Sequence, residues 1–104
     1  MIRAEFFCSG SSLTGFSVSG HAGFADPGED IVCASVSSAV QMAANGITEI
    51  LALKAEVTVE ENRVSLSLKA PSKMGEAFLQ ALRLHLKLLS EDYPKTIILV
   101  NSEV

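Results

Sequence analysis

The chain has 104 residues, 48% hydrophobic and 19% charged, with a net charge of -4 and two cysteines. That length suits one domain, 1–104, able to bury roughly 65% of its unfolded surface, and the composition excludes a disordered chain. The acidic balance, with no cluster of Lys or Arg, argues against direct nucleic-acid binding and favours a basic partner.

Residues 2–7, with Ile2, Ala4 and Phe6 on one side, predict a strand. Ser9-Gly10-Ser11-Ser12 then reads as a turn into a second strand near 14–19. Residues 23–29, which include Pro27-Gly28, show no periodicity and read as a loop. From Asp30 onward, Val32, Val36, Val40, Ala43, Ile47, Ile50 and Leu51 fall near one face. This predicts a helix to about Leu53 with Asp30 as its N-cap. Ala34, Ser35, Ser37, Ser38 and Ala39 in its first half are small enough to admit another backbone.

Val57, Val59, Val64, Leu66 and Leu68 alternate with polar residues about a turn over 60–63, predicting an antiparallel hairpin with one buried face. Pro71-Ser72 opens a second helix from Lys73 to about Ser90. Its polar stripe of Lys73, Glu76, Gln80, Arg83, Lys87 and Ser90 is narrow, so most of its circumference should be buried. Pro94 ends the helical pattern, and the apolar run 96–100 reads as a central strand covered on both faces. The expected class is α/β (α+β), a mixed β-sheet with two helices in the order ββαββαβ.

No apolar stretch is read as reaching the ~20 residues of a membrane span, and the N-terminus lacks a signal-peptide pattern. A cytoplasmic chain with no membrane association is therefore expected. In that reducing setting Cys8 and Cys33 read as free thiols.

His21 closes the second strand and Cys33 falls at the third position of the first helix. The loop between them could fold back and bring imidazole and thiol together, the minimum equipment of a cysteine nucleophile. A helix N-terminus favours a thiolate, and its N–H groups could receive an oxyanion. Spacing alone favours the plainer reading, a small buried cysteine and a polar residue at a loop edge. Asp30 is a helix cap that could also orient His21. Ser37, one turn after Cys33, could face substrate or merely fill a tight contact.

His85 lies opposite the polar stripe, beside Leu82 and Leu89, and reads as a packed or interface histidine. Cys8, His21, Cys33 and His85 lack the spacing of zinc ligands, so no metal is expected. Gly20, Gly23 and Gly28 match no phosphate-binding pattern. Glu60-Glu61 and Glu91-Asp92 read as solvated turn residues.

The block Gly20-His21-Ala22, a loop, and Asp30-Ile31-Val32-Cys33-Ala34-x-Val36-Ser37 resembles the ribosomal-processing cysteine proteases, the Prp family of Firmicutes and related bacteria. Chain length, the central hairpin and the ending Tyr93-Pro94-Lys95 are similar as well. The resemblance implies an enzyme that removes the N-terminal extension of large-subunit ribosomal protein number twenty-seven, cutting after an aromatic residue and before a small one. It implies His21 as general base, Cys33 as nucleophile, and Gly20, Asp30 and Ser37 in supporting or substrate-binding roles. It further implies no cofactor, a homodimer, and a flexible loop from Ala22 to Glu29 over the site. Cys8 matches no motif position. The competing reading is a non-catalytic, dimeric peptide-binding accessory of ribosome assembly. A thiol redox protein is disfavoured by the lack of a C-x-x-C spacing.

Overall fold

The computed structural model of the chain describes residues 1–26 and 28–104. Pro27, part of the expected Pro27-Gly28 loop, lies outside the described residues. The elements are β1 (Ile2–Ser9), β2 (Ser12–Ser19), α1 (Ile31–Asn45), β3 (Ala55–Glu60), β4 (Arg63–Leu68), α2 (Lys73–Asp92) and β5 (Ile97–Glu103), with a π-helical turn over Gly46–Ile50 after α1. The predicted ββαββαβ order is the observed one.

The strands form one mixed sheet in the order β3-β4-β2-β1-β5. Among the described residues only β1 and β5 run parallel; the other pairings are antiparallel. Register places Ala4 opposite Val18, Phe6 opposite Phe16, and Phe16 opposite Leu66, so one face collects the large apolar side chains. The opposite face aligns Glu5 with Ser17, Ser17 with Ser65, and Gly15 with Ser67. Both helices cover the apolar face. Val32, Val36, Val40 and Ala43 of α1 and Leu79, Leu82 and Leu86 of α2 join Phe6, Phe16 and Leu66 in the core. Burying each such large side chain contributes on the order of 1.5–3 kcal/mol.

Three expectations about coverage are corrected. The run 96–100 belongs to an edge strand, not a central one, because β5 pairs only with β1. Its residues alternate: Ile97 is buried on the helix side, while Ile98 looks out from the open face. The hairpin's apolar face is buried only on β4. Val57 and Val59 face the same way as Leu66 and Val64, yet β3 is the other edge and the helices do not reach it, so both stay exposed. On α2 only Gly75, Leu79, Leu82 and Leu86 are buried, whereas Met74, Leu84 and Leu88 are exposed. His85 is likewise exposed, on a groove shared with Ala34 and Met42 of α1, and is not packed in the core.

The first helix also ends differently. At Gly46 the chain passes so close to α2 that a Cβ would lie 2.4 Å from Cε1 of Phe78. There the turn widens, with the Leu51 N–H reaching the Gly46 carbonyl. The extra residue rotates Ile50 out of the predicted face, leaving it 79% exposed. Residues Ile31–Ile50 are, contrary to the sequence expectation, long and apolar enough to cross a bilayer by length and mean hydropathy. The burial of Val32, Val36, Val40, Ala43 and Ile47 against the sheet explains that apolarity as the inner face of a core helix.

A bulge beside Thr14 shifts the β1/β2 register between Phe7 and Cys8, and the next residue, Gly15, pairs with Ser67 of β4. A Cβ at Gly15 would meet the Leu66 carbonyl oxygen at 2.2 Å, a backbone atom that cannot rotate away. Gly15→Ala is therefore expected to destabilise the fold by about 2 kcal/mol or more. Urea unfolding should show a lower midpoint with an unchanged slope.

Candidate active site

Two local devices bring His21 and Cys33 to one place. The first is the end of central strand β2, where Gly20 turns the chain at φ +90 with no room for a side chain; a Cβ would sit 2.6 Å from the Met1 carbonyl oxygen. The Gly20 N–H donates to the Asn62 carbonyl at 3.1 Å, which ties this corner to the β3/β4 turn. His21 follows, exposed, and Ala22 then dips into the core.

The second device is the start of α1. Asp30 is the N-cap, as predicted, and Cys33 is the third helical residue. Oδ1 of Asp30 accepts the N–H groups of Val32 and Cys33, both at 3.0 Å. Oδ2 accepts those of Phe24 at 3.0 Å and Ala25 at 3.3 Å. The N–H of Cys33 does most to hold the carboxyl below its usual range; burial opposes this, and the N–H groups of Ala25, Phe24 and Val32 add to it. All four donors are backbone groups, so the carboxylate orients the loop and not the His21 ring. The N–H groups of Val32 and Cys33, read from sequence as free to receive an oxyanion, are engaged by Asp30.

The loop returns to the helix at a further point, where the Ala22 N–H donates to Cys33 Sγ at 3.2 Å. Charged sulfur accepts such a bond better than neutral sulfur. Phe24 reaches the far end of α2, its ring edge-on to Tyr93 with centroids 5.3 Å apart.

His21 and half-buried Cys33 line a single cleft of about 190 Å³, together with Gly20 and Ser37. Its floor is apolar, from Val18, Val36, Val40 and Val64. Its lip carries Glu60, Glu61, Asn62 and Arg63 from the β3/β4 turn. From sequence, Glu60 and Glu61 read as solvated turn residues. Exposed they are, but the pairing of Ser19 with Arg63 carries them to the cleft, and no local pattern announces that. Cys8 is a free thiol like Cys33 and lies on β1 opposite Leu13, outside the cleft lining.

The lowered pKa of Asp30 makes its contribution to stability depend on pH. Its stabilising contribution is complete above the unfolded aspartate value, about 3.9, and is lost as pH falls through the lower folded value. Thermal unfolding from pH 7 to pH 2.5 should show the wild type losing its advantage over Asp30→Asn only below about pH 4.

A family model described as Cysteine protease Prp matches residues 1–98. No curated protein sequence matches the chain. Among solved structures, it is similar to an essential ribosomal processing protease Prp from S. aureus in complex with a covalently linked product peptide, at 22% identity, covering 98% of this chain and 100% of that one, with a TM-score of 0.90. The same protease with a substrate peptide aligns at 21% identity over 98% and 100% of the two chains, with a TM-score of 0.84. A Streptococcus mutans protein aligns at 22% identity over 100% and 96%, with a TM-score of 0.85. These likenesses show the same fold, and the match over residues 1–98 makes this chain a member of the cysteine protease Prp family.

Proposed function

We propose that the protein is a site-specific endopeptidase that removes the N-terminal extension of large-subunit ribosomal protein number twenty-seven, with Cys33 as nucleophile and His21 as general base. The observation that carries this reading is the shared cleft, in which one thiol and one imidazole stand beside an apolar floor of Val18, Val36, Val40 and Val64. Family membership supports the reaction class. The S. aureus relative, a ribosomal processing protease captured with substrate and product peptides, supports a ribosomal protein precursor as the partner.

In this mechanism the Cys33 thiolate attacks the scissile carbonyl carbon and forms a C–S bond as the carbonyl π pair moves to oxygen. His21, carrying the thiol proton, delivers it to the amide nitrogen as the C–N bond breaks. The amine product leaves and a thioester remains on Cys33. His21 then takes a proton from water, the resulting hydroxide adds to the thioester, and C–S cleavage returns the thiolate and releases a carboxylic acid, which gives its proton to solvent. Thiol and imidazole suffice for every step, so no cofactor is invoked.

The acidic balance of the chain, together with Glu60 and Glu61 at the cleft lip, supports a basic precursor by electrostatic attraction. Gly20 serves by turning His21 into the cleft, Asp30 by fixing the loop, and Ser37 by lining the cleft one helical turn from Cys33. Exposed Leu84 and Leu88 on α2 support a homodimer, since apolar side chains clustered on a surface favour a protein partner. The proposed location is the cytoplasm, where such a precursor is made.

Cys33→Ala should abolish cleavage of a peptide spanning the extension and the first mature residues, with the folded state retained by circular dichroism. His21→Ala should lower kcat/KM by about 10²–10⁴, and the wild-type profile of kcat/KM against pH should be bell-shaped. Normal turnover by either variant contradicts the assignment.

A further inference from the structure

We propose that Asp30 is a positioning residue, which holds the Ala22–Ala25 chain over Cys33 through backbone N–H groups and thereby keeps the Ala22 amide on the sulfur. For its effect on cleavage this rests on Cys33 being the nucleophile. Its structural part rests on hydrogen bonds alone. Oδ1 binds the Val32 and Cys33 amides of the helix, while Oδ2 binds the Phe24 and Ala25 amides of the loop. Two residues before Phe24, the Ala22 N–H meets Cys33 Sγ at 3.2 Å. Carboxylate, loop and thiol thus close a ring of contacts around the first turn of α1.

A plain N-cap needs only one accepting oxygen, and Asn, Ser or Thr would provide it. Here the second oxygen also accepts, twice, and the residue is buried, with 8% of its surface exposed. Only an ionised carboxylate offers acceptors on both sides. An asparagine retaining the cap would turn its NH₂ toward the Phe24 and Ala25 amides, where donor would meet donor. Phe24 also sets its ring edge-on against Tyr93, yet the residue is 49% exposed. Asp30→Asn therefore separates the two roles: it preserves the helix cap and releases the loop.

The test reads backbone amide exchange by NMR, together with kcat and KM for the precursor peptide, in wild type, Asp30→Asn and Asp30→Ala. In Asp30→Asn the Val32 and Cys33 amides should remain protected, while those of Ala22, Phe24 and Ala25 exchange about tenfold faster or more. Cleavage should fall by about tenfold or more in kcat, because the surroundings of the sulfur change and the cleft walls do not. Asp30→Ala should lose protection at both sets. Unchanged Ala22 exchange in Asp30→Asn, or a loss carried by KM alone, overturns the proposal. Ala25→Pro, which deletes one loop donor without touching the cap, repeats the exchange measurement at Ala22 should Asp30→Asn fail to fold. If the wild type cleaves no such peptide while the amide pattern is as expected, the precursor assignment fails and the positioning role of Asp30 stands.

Discussion

One carboxylate organises the cleft. The first turn of any helix leaves N–H groups without intrahelical partners, and a loop folded over that turn brings more of them. Asp30 answers both needs from a single buried point, with Val32 and Cys33 on one oxygen and Phe24 and Ala25 on the other. Without it those amides, two from the loop and two from the helix, would lose the acceptor they share. The thiol then sits where the helix begins, beneath the Ala22 amide, at a position fixed by main-chain geometry and not by a long side chain.

The sheet supplies the other half of the site. His21 leaves the central strand β2, whose register with β1 and β4 is anchored by the Phe6, Phe16 and Leu66 layer. A one-residue slip would turn every such side chain to the opposite face, so the core itself fixes where β2 ends. Pairing with β4 also brings the turn residues Glu60 to Arg63 to the cleft lip, and the Gly20 N–H bonded to the Asn62 carbonyl locks that corner. Imidazole and thiol are therefore carried by different elements, one by the sheet and one by a helix end. Core packing relates the two.

Much of this was legible in the sequence because its causes are local. Alternation in β1 and β4, the Asp30 cap and the third-position cysteine all follow from patterns a few residues long. The family resemblance, resting on the Gly20-His21-Ala22 and Asp30-to-Ser37 strings, is matched over residues 1–98. What sequence did not disclose depends on distant partners. The widened turn begins at Gly46, where the ring of Phe78 on α2 leaves no room for a side chain. The apolar run 96–100 resembles a central strand, yet its neighbours are set by the order of the whole sheet. The second oxygen of Asp30 is another such case, since a cap signal says nothing about a loop that folds back. His85 and the outer leucines of α2 share an apolar pattern that periodicity reads as burial, but they lie off the side of the helix that carries the buried Leu79, Leu82 and Leu86.

The central claim, that the Cys33 sulfur attacks a peptide carbonyl, is tested most directly by trapping. Wild-type protein treated with a peptide chloromethyl ketone ending at the residue before the cut site should gain one adduct, mapped by mass spectrometry to Cys33, and His21→Ala should acquire it more slowly. Modification of Cys8 instead, or continued cleavage of the precursor peptide after Cys33 is fully blocked, would contradict the account.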